Sequence, residues 1–286
     1  MDRPYVLPCA PIAGGRLAYE VSGDGPALIL IHGSLLDRRL WDAQVPVLAQ
    51  RHRVVRYDAR GHGASSSAAM PFAHERDLHD LMQALRLDRA TLIGLSMGGR
   101  IALQFTLTYP ERVAALVIVA SGMDDYTYEP EVHACRATMS TAIEERGAIA
   151  EATDAFLRTW VIGPRRTPEQ VSAAVLKAAR RMVERSLSQP SLDDLEEPFS
   201  PSIRSRLREL QAPALVMVGE HDLPDMLMIA DQLAAGLPGA EQVLVPGAGH
   251  LVNLEQPDVF NSTVSAFLAN HGDRLPRDRR EGGDDA

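Results

Sequence analysis

The sequence predicts an α/β protein with a mostly parallel central sheet, helices on both faces of that sheet and a helical cap inserted after the sixth strand. Short apolar runs alternate with helical patterns up to about residue 120, which is typical of strand–helix–strand units in a parallel sheet. The alternation stops at residue 121 and resumes near residue 211. Glycine and polar residues follow several apolar runs, at the strand ends where ligands bind in open α/β sheets.

Each predicted strand is a short apolar run bounded by turn residues. The run Ala27–Ile31 is continuously apolar and rich in branched residues, which indicates burial on both faces. By contrast, Arg16–Val21 alternates between polar and apolar residues, as a half-exposed strand does. The remaining predicted strands are Val54–Tyr57, Thr91–Ile93, Val113–Val119, Ala214–Val218 and Gln242–Val245.

The predicted helices lie between these strands. The stretch from Phe72 to Leu85 carries apolar residues along one face of a 3.6-residue period, and this pattern favours an amphipathic helix. Further helices are predicted over Trp41–Ala49, from Ser96 through Tyr109, over Leu227–Leu233 and over Val259–Leu268.

The interruption of the strand–helix rhythm divides the chain into segments. Between residues 121 and 210, helical patterns are separated by proline-containing breaks, and no convincing strand is present. The last residues are charged and glycine-rich, which predicts a disordered tail. The predicted segments are the first part of the core (1–120), the cap (121–210), the second part of the core (211–270) and the tail (271–286).

Composition narrows the class of protein. With 286 residues, 45% apolar content and 23% charged residues, the chain has the composition of an ordinary globular protein. Its net charge of -9 argues against nucleic acid as a partner. Two cysteines provide neither a disulfide framework nor a metal signature. No secretory signal or membrane-spanning stretch is evident, so we expect a cytoplasmic protein. We also expect no cofactor and no metal.

The most informative stretch is Gly94-Leu95-Ser96-Met97-Gly98, which fits the Gly-x-Ser-x-Gly nucleophile elbow. In that motif a tight strand-to-helix turn presents a serine at the top of a sheet. A strand pattern precedes Ser96 and a helical pattern follows it, as the motif requires. The serine oxygen would then lie at a helix N-terminus, where backbone N–H groups stabilise a developing anion.

A serine nucleophile needs a base and a carboxylate that orients the base. Asp222 follows the predicted strand Ala214–Val218, and His250 follows the strand Gln242–Val245 in a glycine-rich loop. The chain order Ser96, Asp222, His250 is the order expected for a site of this kind.

Five motifs occur along the chain in the order found in α/β-hydrolases, and from about Arg16 to Leu268 the sequence resembles that family. The motifs are His32-Gly33, Asp58-x-Arg60-Gly61-His62-Gly63-x-Ser65, Gly94-x-Ser96-x-Gly98-Gly99, Gly219-x-x-Asp222 and Gly249-His250.

The resemblance implies roles for individual residues. Ser96 would be the nucleophile, His250 the general base and then acid, and Asp222 the orienting carboxylate. The oxyanion hole would use the backbone N–H groups of Met97 and Ser34. Two alternatives stay open at this point. Leu35 can replace Ser34 as the donor, and Asp124 or Asp125 can supply the acid, because some family members carry it after the strand that precedes the cap.

The resemblance also implies an activity, namely hydrolysis of a small carboxylic ester or lactone through an acyl-enzyme. The stretches Leu40–Gln44 and Arg56–Ser65 resemble 3-oxoadipate enol-lactonases, although those enzymes carry an asparagine–serine pair where this chain has His32-Gly33. Haloperoxidase-like esterases share the same motifs.

Other activities on the same triad stay open. They are carbon–carbon bond hydrolysis, a biosynthetic thioesterase or cyclase activity, and a ligand sensor with little turnover. The expected partner is a small-molecule substrate, not nucleic acid or a membrane. The oligomeric state is left open, with a homodimer as one option.

Overall fold

An eight-stranded sheet with the order β1-β2-β4-β3-β5-β6-β7-β8 forms the centre of the molecule in the computed structural model. The structure describes residues 7–190 and 195–271. The strands are β1 Cys9–Ile12, β2 Gly15–Ser22, β3 Ala27–Ile31, β4 Arg53–Tyr57, β5 Ala90–Leu95, β6 Val113–Val119, β7 Ala214–Gly219 and β8 Glu241–Val245. The tail predicted for residues 271–286 lies, except for His271, outside the described residues.

Among the eight strands, only β2 runs against the others. β1 pairs antiparallel with β2, and β2 pairs antiparallel with β4. Every pairing from β4 through β8 is parallel. The carboxyl ends of β3, β5, β6, β7 and β8 therefore lie along one edge of the sheet, and the loops that follow them are neighbours. This confirms the predicted, mostly parallel sheet.

Helices cover both faces of the sheet, as predicted. In β3, Ile29 and Ile31 join one buried apolar cluster, whereas Leu28 and Leu30 join the other. This alternation is the period-2 pattern of a strand whose two faces are both buried. The helices are α1 Val45–Leu48, α2 His74–Ala84, α3 Met97–Thr108, α4 Pro130–Arg146, α5 Ile149–Phe156, α6 Ala173–Leu187, α7 Ile203–Arg206, α8 Pro224–Gly236, α9 Val252–Glu255 and α10 Pro257–His271.

Two elements differ from the prediction. β1 was not predicted, because Pro8 before it and Pro11 within it mask the strand pattern. It lies at the sheet edge and pairs only with β2, where a proline such as Pro11 is tolerated. The predicted helix Trp41–Ala49 is instead a 3₁₀ turn, Arg38–Trp41, followed by the single turn α1. Pro46 has no N–H to donate to the preceding turn, so a continuous helix would lose a hydrogen bond there.

An inserted helical segment, residues 121–210, separates β6 from β7. Its described part contains α4, α5, a π-helical turn at Leu157–Ile162, α6 and α7. Within this described part, Glu196 forms an isolated parallel bridge with Phe72, which lies in the loop before α2 and outside the sheet. None of the described helices is both long enough and apolar enough to cross a membrane.

Candidate active site

Ser96 lies in a strained turn between β5 and α3. Its φ and ψ are 56° and -114°, a conformation that non-glycine residues rarely adopt without support from their surroundings. Support comes from β6 and the loop after it. The Ser96 N–H donates to the Val119 carbonyl at 2.9 Å, and the Gly122 N–H donates to the Ser96 carbonyl at 3.2 Å. The turn therefore presents the half-buried Ser96 side chain at the N-terminus of α3.

The glycines of the elbow permit close contact between backbone segments. A Cβ atom on Gly94 would lie 2.2 Å from the Gly98 carbonyl oxygen, and one on Gly98 would lie 2.1 Å from the Ile31 carbonyl oxygen. Distances this short cannot be relieved by rotating a side chain, because both partners are backbone atoms. The fixed glycines of the motif are therefore required by the packing of α3 against β3 and β5.

We expect Gly98→Ala to destabilise the protein strongly, since its new methyl group would collide with the Ile31 carbonyl. The expected loss in free energy of unfolding is about 3 kcal/mol or more, measured by urea denaturation. Gly147→Ala is the matched control. Gly147 has a φ of +59° but no atom within 4 Å of the added carbon, so it should lose only about 1 kcal/mol, from backbone strain. Equal losses in the two variants would contradict this account.

Asp222 and His250 form a buried hydrogen-bonded pair. Asp222 follows β7 and His250 follows β8, and their side chains meet with Nδ1 at 3.0 Å from Oδ2 and 3.2 Å from Oδ1. The residues are 2% and 4% exposed. The Leu223 N–H donates to Asp222 Oδ1 at 2.8 Å and fixes the carboxylate. A carboxylate beside Nδ1 places the proton of a neutral imidazole on that nitrogen, which leaves Nε2 free to accept another proton.

Ser96 and the Asp222–His250 pair lie at the same edge of the sheet, because β5, β7 and β8 are parallel. Among the hydrogen bonds of residues 7–190 and 195–271, none joins the Ser96 hydroxyl to His250. Catalytic hydrogen bonds are often long in free enzymes and tighten in the substrate complex. The serine–histidine link therefore stays a prediction.

The alternative acid residues make other contacts. Asp124 accepts a hydrogen bond from Gln104 Nε2 at 3.1 Å and lies 3.7 Å from Arg100 Nη1. Burial raises the pKa of the Asp124 carboxyl. The carboxylate that contacts the His250 ring belongs to Asp222, and this favours Asp222 over Asp124 and Asp125 as the orienting acid.

Two histidines anchor the loop that follows β3. His32 Nε2 accepts the Ala59 N–H at 2.9 Å, and His32 Nδ1 lies 2.8 Å from the Gly33 carbonyl. His62 Nε2 accepts the Leu35 N–H at 3.3 Å, and its Nδ1 lies 2.9 Å from the Arg60 carbonyl. Both rings therefore act as neutral imidazoles with the proton on Nδ1. Burial lowers the pKa of His32 and lowers that of His62 to about 3.

These contacts bear on the choice of oxyanion donor. The Leu35 N–H is already bonded to His62. By contrast, the N–H groups of Ser34 and Met97 have no acceptor among the hydrogen bonds found in the described part of the chain. A free backbone N–H is what an oxyanion hole needs, so the geometry favours Ser34 over Leu35.

We expect the free energy of unfolding to fall as the pH drops from about 6.5 toward 3. The His62 pKa is about 3 in the folded protein and about 6.5 in the unfolded chain. Unfolding at mildly acidic pH therefore takes up a proton at His62, and the stability that depends on its neutral ring is fully present only above the unfolded pKa. Urea midpoints at about pH 7 and pH 5 measure the loss. His62→Gln, whose amide oxygen can accept the Leu35 N–H without titrating, should lose less on acidification. Equal acid losses in both proteins would show that His62 is not the group responsible.

The motif after β4 holds its loop together. Asp58 accepts the Arg38 N–H at 2.9 Å and the Ala64 N–H at 2.8 Å, and Arg60 binds Asp77 through two hydrogen bonds of 2.6 and 2.7 Å. The inserted helical segment docks on this loop, because Arg185 Nη2 donates to the Gly63 carbonyl at 2.9 Å. These residues fix the loop and do not contact His250.

Three residues beside His250 were missed by the sequence analysis. The Trp160 ring lies against the His250 ring with centroids 4.8 Å apart. Arg166 forms an ion pair with Glu255, and Glu255 accepts the N–H of Gly249 at 3.1 Å. Trp160 and Arg166 come from the inserted helical segment, and 89 residues separate Arg166 from Glu255. No local pattern links residues so far apart.

Comparisons with known proteins agree with the observed fold. A family model described as alpha/beta hydrolase fold matches residues 26–257. A carboxylesterase from Bacillus subtilis (strain 168) is 30% identical over 251 residues, which cover 86% of this chain and 81% of that protein. The 2-hydroxy-6-oxo-6-phenylhexa-2,4-dienoate hydrolase of Burkholderia cepacia is 27% identical over 281 residues, which cover 89% of this chain and 92% of that protein. The solved enol-lactonase from Burkholderia xenovorans LB400 is 26% identical with a TM-score of 0.74, covering 92% of this chain and all of the other (100%).

Proposed function

This chain belongs to the alpha/beta hydrolase fold family, and on that basis we propose that it is a serine hydrolase that cleaves a small carboxylic ester or lactone. The reaction proceeds through an acyl-enzyme formed on Ser96. Asp222 and His250 complete the triad, and the N–H groups of Ser34 and Met97 form the oxyanion hole. The inserted helical segment acts as a cap that covers the bound substrate.

Acylation begins when Ser96 Oγ attacks the carbonyl carbon and His250 Nε2 takes the hydroxyl proton. The negative charge that develops on the carbonyl oxygen is stabilised by the two backbone N–H groups. The Met97 N–H adds the positive end of the α3 dipole to this site. His250 then donates its proton to the leaving alkoxide oxygen, and the carbon–oxygen bond breaks.

Deacylation repeats the same steps with water in place of the serine. Water attacks the acyl carbon while His250 accepts one of its protons, and the protonated histidine returns that proton to Ser96 as the ester bond to the enzyme breaks. The carboxylic acid is released and the free serine is restored. For a lactone, the alcohol and the acid leave as a single ring-opened molecule.

The observation that carries this proposal is the buried hydrogen bond between Asp222 and His250 Nδ1, at the sheet edge where Ser96 begins α3. A buried carboxylate that holds a neutral histidine in one tautomer is what general-base activation of a serine requires. The similarity to a carboxylesterase and an enol-lactonase supports acyl transfer to water as the chemistry.

The similarity to a dienoate hydrolase favours one second candidate, hydrolysis of a carbon–carbon bond next to a carbonyl group. The same three residues and the same oxyanion hole would serve that reaction. The two candidates differ in the leaving group, which is an alkoxide in ester hydrolysis and a carbanion in carbon–carbon hydrolysis. Substrate preference therefore separates them.

The test is a panel of p-nitrophenyl esters of increasing chain length, together with lactones and a 2-hydroxy-6-oxodienoate. Labelling of the wild-type protein with a fluorophosphonate probe is measured in parallel. Turnover of esters or lactones with a clear optimum in acyl length is the expected result. Turnover of the dienoate alone would favour the second candidate. Failure of both turnover and labelling would refute a serine hydrolase.

A further inference from the structure

The inserted helical segment contacts the His250 ring directly. Trp160 lies in the π-helical turn Leu157–Ile162, and its ring packs on His250 at 4.8 Å with an interplanar angle of 51°. π-Helical turns are rare and widen the helix locally. The orientation of the His250 ring therefore depends in part on where this turn is held.

Arg166 holds the end of that turn. Its Nε donates to the Ile162 carbonyl at 2.9 Å and its Nη2 donates to the Val161 carbonyl at 2.7 Å. Both acceptors are carbonyls at the C-terminal end of the turn, where a helix leaves its last C=O groups without internal partners. A single guanidinium thus closes the end of the element that carries Trp160.

The same guanidinium contacts the backbone next to His250. Arg166 Nη1 forms an ion pair with Glu255, and the two side chains are 3% and 6% exposed. Glu255 Oε1 accepts the N–H of Gly249 at 3.1 Å. A Cβ atom on Gly249 would lie only 1.9 Å from Arg166 Nη2, so the guanidinium lies against the Cα atom of the residue that precedes His250.

We propose that the Arg166–Glu255 ion pair is a positioning element for His250. It fixes both the Gly249 backbone, which precedes His250, and the turn that carries the Trp160 ring, and so couples the inserted helical segment to the catalytic base. The inference rests on the proposed role of His250 in a serine hydrolase.

Stability alone does not account for this pair. A buried ion pair contributes little net stability relative to apolar residues of similar volume, because desolvation of both charges offsets their attraction. Its directional hydrogen bonds, however, define the positions of Val161, Ile162 and Gly249. Proton transfer from Ser96 needs His250 Nε2 within hydrogen-bonding distance, and a displacement of about 1 Å at such a group lowers the rate roughly 100-fold.

The decisive variant is the double substitution Arg166→Met with Glu255→Leu, which replaces the ion pair with apolar side chains. We expect kcat to fall roughly 10- to 100-fold while KM changes by less than about threefold. The melting temperature should fall by about 5 to 10 °C, because the Val161 and Ile162 carbonyls and the Gly249 N–H lose their partners. The rates are therefore compared at a temperature where both proteins are folded. The rate of fluorophosphonate labelling of Ser96 should fall in proportion to kcat, because it also depends on the histidine base.

Arg166→Lys covers the case in which the double variant does not fold. Lysine keeps the charge beside Glu255 but lacks the planar guanidinium that donates to the Val161 and Ile162 carbonyls at the same time. A folded Arg166→Lys protein should therefore show an intermediate fall in kcat and in labelling rate. The matched control is Arg180→Met, which removes two exposed ion pairs of the inserted helical segment, with Asp154 at 2.5 Å and with Glu184 at 3.6 Å. Its activity should stay within about twofold of the wild type.

Each outcome decides the proposal. A folded double variant with wild-type kcat and labelling rate would overturn it, and so would a folded Arg166→Lys protein with both rates unchanged. A rise in KM at constant kcat would also overturn it, because the pair would then shape substrate binding and not the base. If the proposed function is wrong, Ser96 of the wild-type protein will not be labelled, and this result is distinct from those above. The proposed positioning role would then be rejected as well.

Discussion

Ser96→Ala is expected to lower kcat on the best ester substrate by a factor on the order of 10⁴ to 10⁶. In the proposed mechanism the hydroxyl oxygen of Ser96 forms the acyl-enzyme, and alanine has no group that can replace it. KM should change little, because alanine preserves the shape of the turn. The residual rate reflects the oxyanion hole and substrate binding, which remain intact.

Steady-state kinetics and fluorophosphonate labelling measure this effect. A contaminating wild-type esterase can mimic residual activity at this level, so the fraction of labelled protein should be determined by intact-mass analysis. Ser262→Ala is a suitable control, because Ser262 is an exposed serine of α10 whose hydroxyl donates to the Val259 carbonyl. Retention of full activity in Ser96→Ala would rule out an acyl-enzyme on this residue.

Asp222→Asn should produce the second largest loss, a fall in kcat on the order of 10⁴. Asp222 Oδ2 accepts a hydrogen bond from the protonated Nδ1 of His250, with the two atoms 3.0 Å apart. An asparagine in its place can donate its own N–H to Nδ1, which moves the imidazole proton to Nε2. His250 would then point a proton at the serine and be unable to accept one. Labelling of Ser96 should slow by a similar factor.

Asp124→Asn tests the competing assignment under the same conditions. Asp124 contacts Gln104 and Arg100, so the kcat of the Asp124→Asn variant should stay within about threefold of the wild-type value. Melting temperatures of both variants show whether a loss of activity reflects unfolding. If Asp124→Asn abolished turnover while Asp222→Asn retained it, the orienting acid would have to be reassigned to the loop after β6.

Local patterns in the sequence were sufficient for most of the fold. The buried strands follow the period of 2, α2 follows the period of 3.6, and the family that the motifs indicate is confirmed. The elbow at Ser96 was predictable because a strand, a glycine-flanked serine and a helix follow one another within a few residues. The edge strand β1 and the broken helix near Trp41 were missed, because proline obscures the periodicity on which such predictions depend.

The sequence by itself therefore determined the order of the elements, the strand ends that carry Ser96, Asp222 and His250, and the glycines between closely packed backbones. Only the tertiary structure decided which carboxylate faces His250, which N–H near Ser34 is free, and that Arg166 reaches Glu255. Periodicity and turn chemistry act over a few residues, so they can be read along the chain. Pairing between distant charged groups is decided by packing, because many arginines and carboxylates in this chain are equivalent until the fold selects among them.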